Sequence, residues 1–184
     1  ADNLKSAREH AEVVRKKLEK EVREGRIAGP FFEWPLQDLI ISPIGVVPKK
    51  VKGQFWLIQH LSCPEGSSVN DFIAEELVSV SYSSVDVALR LFYVAGTGAE
   101  MAKSDIKSAF RLLPVHPDDF GLLGMYFEGR CYVDKALSMG CSISCALFET
   151  FSTFLGGDAD TEKGDSQGDT SAVGPSELCL QGHQ

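Results

Sequence analysis

Positive charge is scarce in this chain: 18 Lys and Arg stand against 26 Asp and Glu in 184 residues, a net charge of −8. That balance excludes a generally basic nucleic-acid coat, whose footprint is a high pI and a broad basic face. The five cysteines (Cys63, Cys131, Cys141, Cys145, Cys179) form no CxxC pair, and the four histidines add no matching zinc-ligand spacing. Long apolar runs are also missing. None approaches the ~18 residues a membrane span needs, and nothing reads as a signal peptide. Reduced thiols in an intracellular compartment, cytoplasm or nucleus, with no membrane partner, fit these absences. The chain begins at Ala1 instead of Met, which reads as a fragment of something longer.

What is present is ordinary in amount and uneven in placement. A chain of this length that is 43% hydrophobic suits one sizeable core plus a tail. Residues 1–60 carry 11 Lys/Arg against 8 Asp/Glu, residues 61–155 carry 6 against 12, and residues 156–184 carry 1 against 6. A locally basic face near the start is therefore compatible with the acidic total.

Leu4, Ala7, Ala11, Val14, Leu18 and Val22 recur at spacings of three and four, which predicts one helix with a narrow apolar stripe. Asn3 is the expected N-cap, Gly25 the stop, and Glu12–Lys16 and Glu19–Arg23 are i,i+4 pairs. The "RKK" of this helix reads as a solvated face. From "GPFFEWP" onward, Pro30, Pro35, Pro43 and Pro48 forbid a long helix. "DLIISPIGVVPK" and "QFWLIQHL" read as two strands joined across "KVKG", with Lys49, Lys50 and Lys52 around the tip. Those lysines suit a soluble hairpin tip or a phosphate-facing finger, and charge alone favours the former. "SSVDVALRLFYVAGTG" reads as a helix opened by Ser83 with Asp86 and closed by Gly96 or Gly98. "GMYFEGRCYVDKAL" reads as a hairpin turning at Glu128-Gly129, and "SISCALFETFSTFL" as an apolar helix capped by Ser142 or Ser144. Gly, Asp, Ser and Thr dominate residues 156–184, whose few apolar side chains do not offset the entropy of ordering, so this segment reads as a disordered acidic tail.

The chemistry centres on "AKSDIKSAFRLLPVHP", where Asp105 ends a short predicted strand and Phe110 stands five residues on. Hard divalent cations want carboxylate and carbonyl oxygens on a rigid element, and Asp105 with the Ile106 carbonyl supplies part of such a set. Phosphoryl transfer to a growing nucleic-acid end uses two such cations about 3.5–4 Å apart, and one carboxylate does not complete that site. A single Asp near a strand end is more often a cap or surface partner, and a lone Phe is more often core.

The order of the motifs points further. "REGRIAGPF", "ISPIGVVPKK", "GSSVND", "AKSDIKSAFRLLPVHPDDF" and "ALSMGCSISCALFETFSTFL" together resemble a reverse transcriptase, and specifically the fingers and palm of the DIRS-type (tyrosine-recombinase) retrotransposons. The resemblance covers residues 3–155. It implies an α+β fold, the fingers and partial palm of a right-hand polymerase. Residues 1–29 would form an N-terminal helix and linker, residues 30–155 the fingers and partial palm, and residues 156–184 a disordered tail unrelated to the family. It further implies RNA-directed DNA synthesis with Mg²⁺ or Mn²⁺, on an RNA or DNA template-primer, with deoxynucleoside triphosphates. By the same resemblance Asp105 is the first catalytic aspartate and metal ligand, and Ile106 lends its backbone carbonyl to that metal. Phe110 is the aromatic that rejects a 2′-hydroxyl. Met139 and Gly140 form the loop beside the incoming nucleotide, and Lys49, Lys50 and Lys52 are phosphate contacts.

Two departures qualify this implication. Where the family carries an arginine that grips the triphosphate, "QFWLIQHLS" has Trp56, and an indole does not replace a bidentate phosphate donor. Nothing in residues 156–184 matches the aromatic-x-Asp-Asp hairpin that completes the family's metal site. The resemblance therefore implies a truncated, inactive copy, with a full-length copy of the element as a further partner. The alternatives are a non-catalytic nucleic-acid-binding remnant, and an unstable product with no role.

Overall fold

The computed structural model describes residues 2–80, 82, 84–98, 100 and 105–160. The apolar stripe near the start builds two helices instead of one: α1 (Lys5–Glu9) and α2 (Ala11–Arg23), broken at His10 with φ −124° and ψ 41°. At the break the His10 ring lies against Phe55, with centroids 4.6 Å apart. Asn3 is not the N-cap, a position held by Leu4. Its side chain ties two strands together, accepting from the Ile44 N–H at 3.0 Å and donating to the Tyr126 carbonyl at 2.8 Å. Long-range backbone groups took the cap that local sequence offered. Gly25, with φ +75°, ends α2 as expected. The Glu12–Lys16 pair closes at 3.2 Å, whereas the ion pairs among the described residues do not include Glu19–Arg23.

Two small antiparallel sheets follow. β1 (Ile27–Phe31), β5 (Arg130–Asp134) and β4 (Gly124–Phe127) form a sheet in the order β1-β5-β4, with β1 bulged between Ala28 and Phe31. The boundary expected at residue 29 falls inside β1, which pairs with β5. β2 (Ile44–Pro48) and β3 (Phe55–Gln59) form the predicted hairpin, in register from Ile44 opposite Gln59 to Pro48 opposite Phe55. The β4–β5 hairpin turns where expected. Glu128 (φ 46°) and Gly129 (φ 77°) are both left-handed, as a two-residue type I′ turn requires.

α1 and α2 are held on these sheets by one core of Ala7, Val14, Leu18, Ile27, Ile44, Val46, Met125 and Phe127. Burying a Leu or Ile side chain stabilises the fold by about 1.5–3 kcal/mol. A second cluster, Leu61, Val69, Leu123, Cys141 and Ile143, packs the loop after β3 against the start of the last helix. α3 (Val85–Ala95) begins after Ser84, carries Asp86 in its first turn and stops at Gly96 (φ 78°). Ser83, expected as its cap, lies outside the described residues. α3 has no buried residue. α4 runs Ser144–Asp160, past the end expected at Leu155. Ser144 is its first residue and donates its hydroxyl to the Ser138 carbonyl at 2.8 Å. The remainder of the expected tail, residues 161–184, lies outside the described residues. The fold mixes helix and strand, as expected, and no helix among the described residues is long and apolar enough to cross a membrane.

Candidate functional site

Asp105 and Ile106 belong to no regular element, and residues 101–104, which carry most of the expected strand, lie outside the described residues. A 3-10 turn over Ala109–Leu112 follows, entered through Ser108 at φ 56°, and it carries Phe110. The Phe110 ring meets Phe148 of α4 edge to face, 5.9 Å between centroids, and Phe148 in turn packs on Phe151. The apolar face of α4 thus backs the aromatic that the sequence singled out.

The neighbouring residue, Arg111, was not anticipated, and it locks this turn in place. Its guanidinium donates to Asp134 at 2.7 Å, to the carbonyls of Ala136 and Leu137 at 3.0 and 3.3 Å, and to Glu21 at 3.1 Å. Glu21 is also gripped by Arg26 through two bonds of 2.8 and 2.9 Å. Burial pushes the Glu21 carboxyl up, but hydrogen bonds and charge from Arg26 and Arg111 outweigh it and hold Glu21 below the usual glutamate range. Burial also dominates at Asp134, whose carboxyl sits above the usual aspartate range despite the opposing pull of Arg111. Sequence offered no signal for these contacts, since Glu21 and Arg111 are 90 residues apart.

Met139 and Gly140 are held against β3. The Gln59 N–H donates to the Met139 carbonyl at 3.3 Å, and Gly140 (φ +128°) lies so close that a Cβ there would sit 2.0 Å from the Gln59 carbonyl oxygen. The missing side chain thus serves contact with β3. Asn70 clamps the same loop, donating to the Gly140 carbonyl at 2.8 Å and accepting from the Ser142 N–H at 3.0 Å. Asn70 is itself fixed in a 3-10 turn capped by Ser68 and Asp71. That Ser-x-x-Asp spacing inside "GSSVND" is a capping-box signal the sequence carries.

These pieces enclose a cavity of about 690 Å³ lined by Asp105, Ile106, Phe110, Met139 and Lys49 together with Lys17, Lys20, Glu21, Arg111, Asp134 and Trp56. Five of the eight residues singled out in the sequence therefore converge. Gly140, Lys50 and Lys52 are exposed and do not line the cavity. The Lys49 ammonium lies 3.5 Å from the centre of the Trp56 ring, a cation–π contact. Lys17, read from sequence as part of a solvated face, is half-buried in the cavity wall. Burial first, then the charges of Lys49 and Lys20, hold its ammonium below the usual lysine range.

Among the described residues the cavity does not offer the carboxylates a two-metal site needs. Glu21 and Asp134 are committed to arginines, which leaves Asp105 and the Ile106 carbonyl. No group of three or more His, Cys, Asp or Glu among the described residues is arranged to hold a metal ion.

No family model matches the chain, and no curated protein sequence does. Solved structures do. The foamy viral protease-reverse transcriptase dRH in complex with double-stranded DNA superposes with a TM-score of 0.58 at 17% identity, over 84% of this chain and 24% of that one. Prototype foamy virus protease-reverse transcriptase gives 0.56 at 16% identity as its CSH mutant and 0.54 at 17% in native form. Those matches cover 86% and 84% of this chain, and 19% and 18% of theirs. The chain thus spans no more than 24% of the length of these neighbours, and at such identities the likeness concerns the fold. This chain has a reverse-transcriptase-like fold.

Proposed function

We propose that the chain is the nucleotide-binding part of a retrotransposon-derived RNA-directed DNA polymerase of the DIRS type, a fingers and partial-palm unit that holds a deoxynucleoside triphosphate without polymerising it. The observation that carries this reading is the convergence of Asp105, Ile106, Phe110, Met139 and Lys49 on one cavity inside a reverse-transcriptase-like fold. In this reading Phe110, backed by Phe148, lies under the sugar and excludes a 2′-hydroxyl, while Met139 faces the base and Lys49 the phosphates. Mg²⁺ or Mn²⁺ would bind with Asp105 and the Ile106 carbonyl and neutralise phosphate charge. The arginine-bound state of Glu21 and Asp134 supports the absence of synthesis by the chain alone.

The test has two parts. Primer extension on an RNA template with Mg²⁺ or Mn²⁺ is expected to yield no product from the chain or from Asp105→Ala, and synthesis lost on that substitution would overturn the inactive reading. Titration with a deoxynucleoside and a ribonucleoside triphosphate is expected to favour the former. Phe110→Ala should reduce that preference by about tenfold, the scale on which one steric or packing contact discriminates ligands. Equal affinities in the unaltered chain would refute the role given to Phe110.

A further inference from the structure

Once the carboxylates bound by arginine are set aside, the cavity is lined by four lysines, Lys17, Lys20, Lys49 and Lys107, against the single carboxylate of Asp105. Glu21 and Asp134 are taken by Arg111 and Arg26. Lys20 reaches Glu24 at 3.7 Å, with both side chains well exposed, which is the weak kind of surface pair. Among the described residues no ion pair engages Lys17, Lys49 or Lys107, all three of which line the cavity. Lys49 is seated on the Trp56 ring, which restrains its stem and leaves its charge uncancelled. Lys17 and Lys20 come from α2, which Leu18 anchors in the core and whose Glu21 bonds Arg111 of the segment that carries Asp105 and Phe110. Lys17, Lys20 and Lys49 all line one partly apolar hollow, where burial first and then the charges of Lys49 and Lys20 disfavour the charged form of Lys17. A polyanion favours that form. A cavity of about 690 Å³ is the size of a small-ligand site.

We propose that Lys17 and Lys20 of α2, together with Lys49 on Trp56, form a cradle for the oligophosphate of a nucleoside triphosphate. Lys17, in a stretch that sequence alone reads as a solvated face, thereby supplies with Lys20 charge that an indole at position 56 does not. The identification of the ligand as a nucleotide rests on the function proposed above, whereas the cradle for oligophosphate rests on the lysines.

The experiment is calorimetric titration of the full chain with inorganic tripolyphosphate and, separately, with dATP, at low and at raised salt. Both ligands are expected to bind, more weakly at raised salt because the contacts are ionic. Lys17→Gln and Lys49→Gln should each weaken both by about tenfold, the scale of one lost charge-assisted hydrogen bond. Lys17→Arg should keep the affinity, and Lys16→Gln, on the exposed side of α2, should leave it within about twofold. Thermal melts of each variant separate lost binding from lost folding. If dATP binds and Lys17→Gln leaves its affinity unchanged, the cradle is wrong and the nucleotide reading stands. Tripolyphosphate binding that Lys17→Gln weakens, without any dATP binding, keeps the cradle and removes the nucleotide reading. Displacement of tripolyphosphate by a blunt DNA duplex at equal phosphate concentration would assign the lysines to a nucleic-acid backbone and overturn the cradle.

Discussion

Replacing Arg111 by Met tests how the turn carrying Phe110 is held. The substitution keeps much of the stem and removes a guanidinium that donates to Asp134, to two backbone carbonyls and to Glu21. Asp134, with a side chain 5% exposed, would keep among the described residues the Ala136 N–H at 3.2 Å. Removing one partner of a buried pair costs about 3–5 kcal/mol. Glu21 retains Arg26 and Arg111 is itself 15% exposed, so the lower end, about 3 kcal/mol near neutral pH, is the expected loss. The loss should depend on pH, with a defined sign. A carboxyl whose folded pKa lies above its unfolded value weakens the fold at higher pH, and that cost is withdrawn as pH falls through the folded value. Burial already raises Asp134, and deleting Arg111 removes the hydrogen bond and charge that oppose the rise. Glu21 has the opposite sign: its contribution is present above the ordinary glutamate pKa and lost as pH falls through its lowered folded value, and Arg26 preserves part of it in the variant. The deficit of Arg111→Met against the unaltered chain should therefore shrink between about pH 7.5 and about pH 5. Urea unfolding at the two pH values measures it. A deficit under about 1 kcal/mol near neutral pH, or an equal deficit at both values, would refute this account of the pair.

Two further substitutions probe the frame around the cavity. Gly140→Ala would place a Cβ 2.0 Å from the Gln59 carbonyl oxygen at a left-handed backbone position, so the loop must leave β3. A loss of about 3 kcal/mol or more in urea unfolding is expected, and a change within about 0.5 kcal/mol would show that the loop does not depend on that approach. Leu18→Ala hollows the core that seats α2 and should cost about 2–5 kcal/mol, read from the same titration; a smaller loss would mean that α2 is weakly held.

The parts of the fold that were legible in the sequence are those decided locally. Proline punctuation with a glycine-bearing tip marked β2 and β3, and Glu128-Gly129 marked the turn between β4 and β5, because a two-residue hairpin loop admits few residues. The break at His10 was not legible, since the apolar spacing runs straight through it and its geometry goes with contact to Phe55 from a distant strand. Asn3 was lost as a cap for a similar reason: two strand backbones compete for its amide. On the cavity wall, Phe110, Met139 and Asp105 were singled out through motif order and resemblance, whereas Arg111, Glu21 and Asp134 carry no such marker. Lys17 stands three residues after Val14 and next to Leu18, so its place at the border of the apolar stripe was readable, but the rest of the cavity wall was not.

That wall decides what the cavity can attract. A pair of divalent cations needs carboxylates that are not otherwise spent, and here the two best-buried candidates are each bound by arginine at 2.7–3.1 Å. Freeing Asp134 for a metal would leave Arg111 with Glu21 alone, and freeing Glu21 would leave Arg111 with Asp134 and Arg26 with Glu24, so either change breaks charge-assisted bonds that the cation must first offset. The lysines face no such conflict: an oligophosphate would satisfy Lys17 and Lys49 without breaking any pair among the described residues. Anion binding is therefore favoured before metal binding at this site, and a metal would arrive most readily as a companion of the phosphates it neutralises.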